Sequence, residues 1–209
     1  MRVDQPPLMI KRLGTVEYVP TLEAMRALTT TRGADTVDEL WVLEHPRVYT
    51  LGVRSDPRHL PRIASDIAIV RCNRGGEITY HGPGQAIVYT LVDLGRRALK
   101  VGQFVRMLEQ SVIDLLAAFG VVAERRSGAP GVYVADAKVA ALGLRVSRGR
   151  AYHGIALNVD MDLSPFASID PCGFPGLAVT QARDLGVAGS AAELGEQLAS
   201  ILARKLGNA

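Results

Sequence analysis

The chain is short of sulfur, lysine and aromatic rings. Its two cysteines, Cys72 and Cys172, lie 100 positions apart with no C-x-x-C pair and no histidine at metal-ligand spacing. This excludes a disulfide framework and a structural zinc site, so each thiol needs its own account. Aromatic residues make up only 5% of the 209 positions. No basic stripe interleaves with them, and the stacking platforms of a nucleic-acid binder are missing. No run reaches the roughly 18 apolar residues of a membrane span. The opening MRVDQPPLMIKRLG carries proline and charge where a secretory signal would be apolar, so the expected location is the cytoplasm, away from the membrane. Neither a helix-opening G-x-G-x-x-G nor a G-x-x-x-x-G-K-[ST] occurs, which removes the Rossmann and P-loop readings.

Only 4 of the 24 basic residues are lysine. The net charge is +3 and the pI near 9.0. Arg125, Arg126, Arg145, Arg148 and Arg150 crowd one third of the chain. They read either as a solvated surface or as a docking face for an acidic partner.

A hydrophobic content of 48% is enough for a sizeable core, and the length suits a single domain over residues 1–209. A short helix is expected near Thr21–Thr30. ELWVLE, IAIVRC and QAIVYTLVDL then read as strands bounded by Pro and Gly. Val101, Phe104, Val105, Leu108, Val112, Leu115, Leu116 and Phe119 recur at helical spacing, with Gly120 placed to end the helix. VVAER, GVYVA, KVAALGLRV and AYHGIALNV predict further strands. Ser190 and Glu193 form a capping box for a last helix reaching about Leu206. The fold class is therefore α/β (α+β), a mixed and largely antiparallel sheet flanked by helices.

Against this background RGGEITYHGPGQ, Arg74–Gln85, concentrates four glycines, a proline and a histidine. Gly75 and Gly76 permit positive φ and close approach to main-chain N–H groups. His81 and Gln85 place polar groups on a turn restricted by Pro83, as a binding loop needs. The residues alone also allow a glycine-rich hairpin turn. Of the thiols, Cys72 ends an apolar strand and reads as an inert small hydrophobe, whereas Cys172 sits in the constrained loop DPCGFPG.

RGGEITYHGPGQAIVY resembles the signature of the octanoyltransferases of lipoate biosynthesis, the lipoyl(octanoyl) transferase family. AKVAALGLRVSRGRAYHGIALNVDMDLSPF (Ala137–Phe166) and IDPCGFPGLAVTQ (Ile169–Gln181) resemble the same family in the same order. The resemblance implies a biotin/lipoate protein ligase-like catalytic domain. The implied enzyme moves octanoyl from octanoyl-acyl carrier protein to the acceptor lysine of lipoyl domains, those of 2-oxoacid dehydrogenase complexes and of the glycine cleavage H protein. It implies an acyl-thioester on Cys172, with Lys138 as its partner and no cofactor or metal. It places the acyl site on Arg74, Gly75, Gly76, Glu77, Ile78, Thr79, Tyr80 and His81, on Ala141, Leu142 and Gly143, and on Gly154, Ile155 and Ala156. His153 and His81 each precede a glycine and are candidates for orienting loops or the thioester. Family members often carry Ser where this chain has Ala141, which leaves a main-chain contact at that position.

Lysine is the informative choice at position 138, because an arginine there would carry charge but hardly exchange a proton. Lowering a thiol from about 8.5 to about 6.5 raises the thiolate fraction roughly tenfold, but intrinsic nucleophilicity falls in near compensation. Proton shuttling is worth roughly 100-fold or more, so Lys138 is expected to act mainly as acid and base. Small Gly and Ala walls leave room for an octanoyl chain, whose burial contributes about 0.8 kcal/mol per methylene. An ATP-dependent lipoate or biotin ligase of the same fold is the alternative enzyme. A silent carrier-binding module is the alternative of another class, and the Cys172/Lys138 pair argues against it.

Overall fold

The computed structural model describes residues 8–56, 60–61, 66–169 and 176–207. Its elements run β1 (Leu8–Thr15), α1 (Tyr18–Thr31), β2 (Asp38–Glu44), β3 (Val48–Leu51), β4 (Ala68–Arg71), β5 (Ile78–His81) and β6 (Gln85–Asp93). There follow α2 (Val101–Ala117), β7 (Glu124–Arg126), β8 (Ala129–Val134), β9 (Ala137–Ser147), β10 (Arg150–Asn158) and α3 (Ala191–Gly207). Among the described residues, seven strands form one sheet in the order β1-β2-β6-β10-β9-β8-β7, and β4-β3-β5 form a second. Every neighbouring pair is antiparallel except β1 with β2 and β3 with β4. The sheet is mixed and largely antiparallel, with helices on both faces.

The central strand β6 is apolar on both sides because both sides are covered. Ala86, Val88 and Val92 meet α2 and α3 through Phe104, Leu108, Val112, Leu198 and Leu202. Ile87, Tyr89 and Leu91 meet Tyr18, Leu22 and Met25 of α1. A third cluster joins Tyr49, Ile78 and Tyr80 of the small sheet to Phe166 and Ile169. Helix α1 begins at Tyr18, three residues ahead of the expected start, because Pro20 is tolerated in a first turn. Gly120 turns the chain after α2 at φ +78, and Ser190 and Glu193 exchange both hydrogen bonds of their capping box.

Three differences from expectation have simple causes. Strand β1 carries its charges outward on a sheet edge, with Lys11 paired to Glu39, so its sequence lacks the apolar run of a buried strand. The expected strand VVAER shrinks to Glu124–Arg126, because Val122 is 88% exposed and has nothing to pack on. Ile78–His81, expected within a loop, is instead strand β5 paired to β3.

Candidate active site

The glycine stretch connects β4 to β5 and lies against β9. The buried Arg74 guanidinium donates to the Thr50 carbonyl (2.6 Å), to Thr50 Oγ1 (2.8 Å) and to its neighbour's carbonyl on Gly75 (3.1 Å). The Gly75 N–H donates to the Leu144 carbonyl at 2.7 Å. A Cβ on Gly143 would stand 2.9 Å from Arg74 Cδ, and one on Gly52 would stand 2.3 Å from the Gly76 carbonyl oxygen. Glycine at 52 lets two backbones touch, and glycine at 143 leaves room for the Arg74 side chain.

Above this contact lies a narrow apolar cavity. Arg74, Gly76, Glu77, Ile78, Thr79 and His81 line one side, and Ala141–Gly143 with Gly154–Ala156 line the other. Gly75 and Tyr80 do not line it. Tyr80 alternates to the far face of β5, where its ring lies between Tyr49 and Phe166. The cavity is completed by Tyr18, Ile87 and Tyr89, which nothing in the linear pattern distinguished from ordinary core, and by His153.

Histidines cluster around it. His81 is held through Nδ1 to Gln85 Oε1 (2.7 Å), while the Gln85 amide donates to Asn158 Oδ1 (2.9 Å), which fixes Nδ1 as the donor. His45 donates from Nδ1 to the Val16 carbonyl (2.6 Å) and accepts at Nε2 from the Tyr89 hydroxyl (2.8 Å). Tyr18 stacks on His81 and meets His45 edge-on. Burial pushes His45 down to about 4, and His81 and His153 down to about 3, with the Arg74 charge adding to the last two. Burial also raises the phenols of Tyr18 and Tyr89.

His153 departs from strand alternation. Ala151, Ile155 and Leu157 of β10 face α2 and α3, and His153 would follow them by parity. It adopts φ +64 instead, a costly conformation for a side chain other than glycine. Its ring lies stacked on Tyr152 and beside Tyr89, on the cavity side of the sheet, with Nε2 3.3 Å from Asn73 Oδ1. Thr90 Oγ1 donates to the His153 carbonyl where the ladder opens.

Lys138 is the second residue of β9 and only 3% exposed, not a strand-end lysine reaching solvent. Its N–H donates to the Ala178 carbonyl (2.8 Å), and its carbonyl accepts from Thr180 (3.0 Å). Its Nζ donates to the Pro130 carbonyl (3.2 Å) and stands 5.2 Å from the Tyr133 ring centre. Cys172 lies outside the described residues. The segment that follows it in sequence, Ala178–Thr180, is the one bonded to Lys138. Cys72 is half-buried against the α1 cluster, with Sγ donating to the Leu51 carbonyl. Among the described residues no group of three or more His, Cys, Asp or Glu is placed to hold a metal, and no helix is long and apolar enough to cross a membrane.

The five arginines do not form one face. Arg125 and Arg126 lie on β7 near Lys138 and pair with Glu109 and Asp136, whereas Arg145, Arg148 and Arg150 lie at the other end of β9 and β10. Sequence proximity brought together residues that an eleven-residue strand separates.

The two sheets thus hold an apolar cavity between them, and a buried amine stands at the start of β9, outside the cavity lining. Residues 17–202 match the family described as the lipoyl protein ligase A/B catalytic domain. An octanoyltransferase of Aromatoleum aromaticum is 57% identical over 96% of this chain and 87% of its own length. One of Dechloromonas aromatica is 55% identical over 96% and 97%. Among solved structures, a bi-partite lipoate protein ligase from Thermoplasma acidophilum superposes with a TM-score of 0.74 at 16% identity, over 97% of this chain and 84% of that one. A biotin protein ligase from Aquifex aeolicus gives 0.56 at 12%, over 96% and 69%. The chain belongs to the octanoyltransferase family, a family of acyltransferases.

Proposed function

We propose that this chain is a single catalytic domain that transfers octanoyl from octanoyl-acyl carrier protein to the acceptor lysine of lipoyl domains, in the cytoplasm. The acceptors are lipoyl domains of 2-oxoacid dehydrogenase complexes and the glycine cleavage H protein. The Cys172 thiolate attacks the carrier thioester, and the departing carrier thiolate takes a proton from the Lys138 ammonium. In the second half, the acceptor amine attacks the Cys172 thioester. Its surplus proton passes to Lys138 as the amide forms and the Cys172 thiolate leaves. The octanoyl chain occupies the cavity between Arg74–His81 and the paired stretches Ala141–Gly143 and Gly154–Ala156, and His81 and His153 orient its walls.

The observation that carries this reading is a buried lysine, on a strand that also walls an apolar cavity, bonded through its own main chain to the segment following Cys172. Incubation with octanoyl carrier protein, without ATP, is expected to add one hydroxylamine-labile octanoyl group on Cys172, and Cys72→Ala should still acylate. Labelling that follows Cys72 would overturn the nucleophile. Labelling that requires ATP would make the chain a ligase of the same fold.

A further inference from the structure

Helix α2 buries an acid. Glu109 is only 6% exposed, on the stripe that packs Phe104, Leu108 and Val112 into the core. Its Oε1 accepts the N–H of Gly131 at 3.2 Å, and its Oε2 pairs with Arg125 Nε at 3.2 Å. The Gly131 N–H and the Pro130 carbonyl are the two ends of one peptide group. That carbonyl is the acceptor of Lys138 Nζ at 3.2 Å.

One peptide therefore links a buried carboxylate to a buried amine. A carboxylate on the N–H draws electron density toward the carbonyl and makes it a stronger acceptor for an ammonium, the polarisation that strengthens chains of hydrogen bonds in a low-dielectric interior. The backbone is built around this contact. Gly131 adopts φ +142, and a Cβ there would stand 2.9 Å from Lys138 Cε and 2.8 Å from the Ala140 carbonyl oxygen. The β8–β9 register shifts between Val132 and Tyr133, opposite Lys138, as bulges do where a strand re-aims a side chain.

Resting on the reading of Lys138 as the acid and base, we propose that Glu109 is a positioning residue. Through the Pro130–Gly131 peptide it orients the lysine amine and favours its charged form without contacting it. Among the described residues, the charged or titratable groups near the amine include Tyr133 on β8, and Arg126 on β7, which stacks on that ring and pairs with Asp136. Arg125 compensates Glu109. The segment 176–180 brings no charge, and Asp170 and Cys172 lie outside the described residues.

The test is the pH profile of single-turnover acylation. A rising limb reports the Cys172 thiol, followed separately by iodoacetamide, and a falling limb reports loss of the Lys138 proton. Glu109→Gln keeps an oxygen for Gly131 but removes the charge, so the falling limb should move to lower pH by about half a unit or more, roughly threefold slower acylation on that limb. Arg125→Gln, at a partly exposed position, leaves the carboxylate uncompensated and should move the same limb upward. Glu109→Ala removes the acceptor as well and should slow acylation about tenfold or more with little change in KM for the carrier donor. A falling limb unmoved in both Glu109→Gln and Arg125→Gln overturns the proposal. If Lys138→Met acylates rapidly with the same falling limb, the limb is not the lysine's and the underlying assignment of Lys138 fails instead.

Discussion

At the residue scale the site is governed by groups kept neutral. His45, His81 and His153 line or back an apolar cavity, and burial holds all three unprotonated, with the Arg74 charge adding to the effect on His81 and His153. An unfolded histidine titrates near 6.5, so the folded state binds fewer protons than the unfolded state wherever the pH lies between these values. Stability is then full above about 6.5 and falls as the pH drops toward 4 and 3. Near pH 5 unfolding should take up about three protons, one for each imidazole. The slope of unfolding free energy against pH, from denaturant titrations, measures this number. An uptake of one or fewer would mean that the imidazoles protonate within the fold, and His153→Asn should lower the uptake by about one. His81 was legible in the sequence because it adjoins a glycine-rich turn. Tyr18, His45 and Tyr89 were not, since each comes from a different element and only the tertiary fold gathers them.

At the element scale, glycine does two different jobs on adjacent strands. Gly154 sits where β10 crosses β6, and a Cβ would lie 2.1 Å from the Val88 carbonyl oxygen, against backbone that cannot yield. Gly143 on β9 faces the side chain of Arg74 at 2.9 Å, which can yield only by releasing the Arg74–Gly76 segment. Gly154→Ala should therefore destabilise the fold by about 3 kcal/mol or more, and Gly143→Ala by about 1 kcal/mol. Gly143→Ala should nonetheless slow octanoyl transfer about tenfold through the displaced cavity wall. Thermal unfolding and steady-state transfer on the two variants separate the cases, and equal loss of stability would refute the distinction. Long periodic elements such as α2, β6 and α3 were readable because burial imposes their pattern. Strand β5 was not, because pairing with β3 rather than its own four residues makes it a strand.

At the scale of the whole molecule the question is where an acidic carrier meets a basic surface. Arg148 lies ten residues along the β9–β10 hairpin from Lys138, about 30 Å at the rise of an extended strand. Arg150 there is already engaged with Asp93 and the Thr29 carbonyl. Arg126 occupies the Lys138 end of the sheet and lies over the Tyr133 ring that also approaches the lysine amine. On the proposed mechanism a carrier brings its thioester to that end. Arg126→Glu should thus lower kcat/KM for octanoyl carrier protein by about tenfold at low salt, and the deficit should shrink as salt screens both proteins. At about 0.1 M salt Arg148→Glu should change it less than twofold, because its charge then stands about three Debye lengths away. A small octanoyl thioester, lacking the acidic protein, should lose little in either variant. If Arg148→Glu proves the more damaging with the carrier donor, the carrier docks on the hairpin tip and reaches the lysine from the opposite side of the cavity.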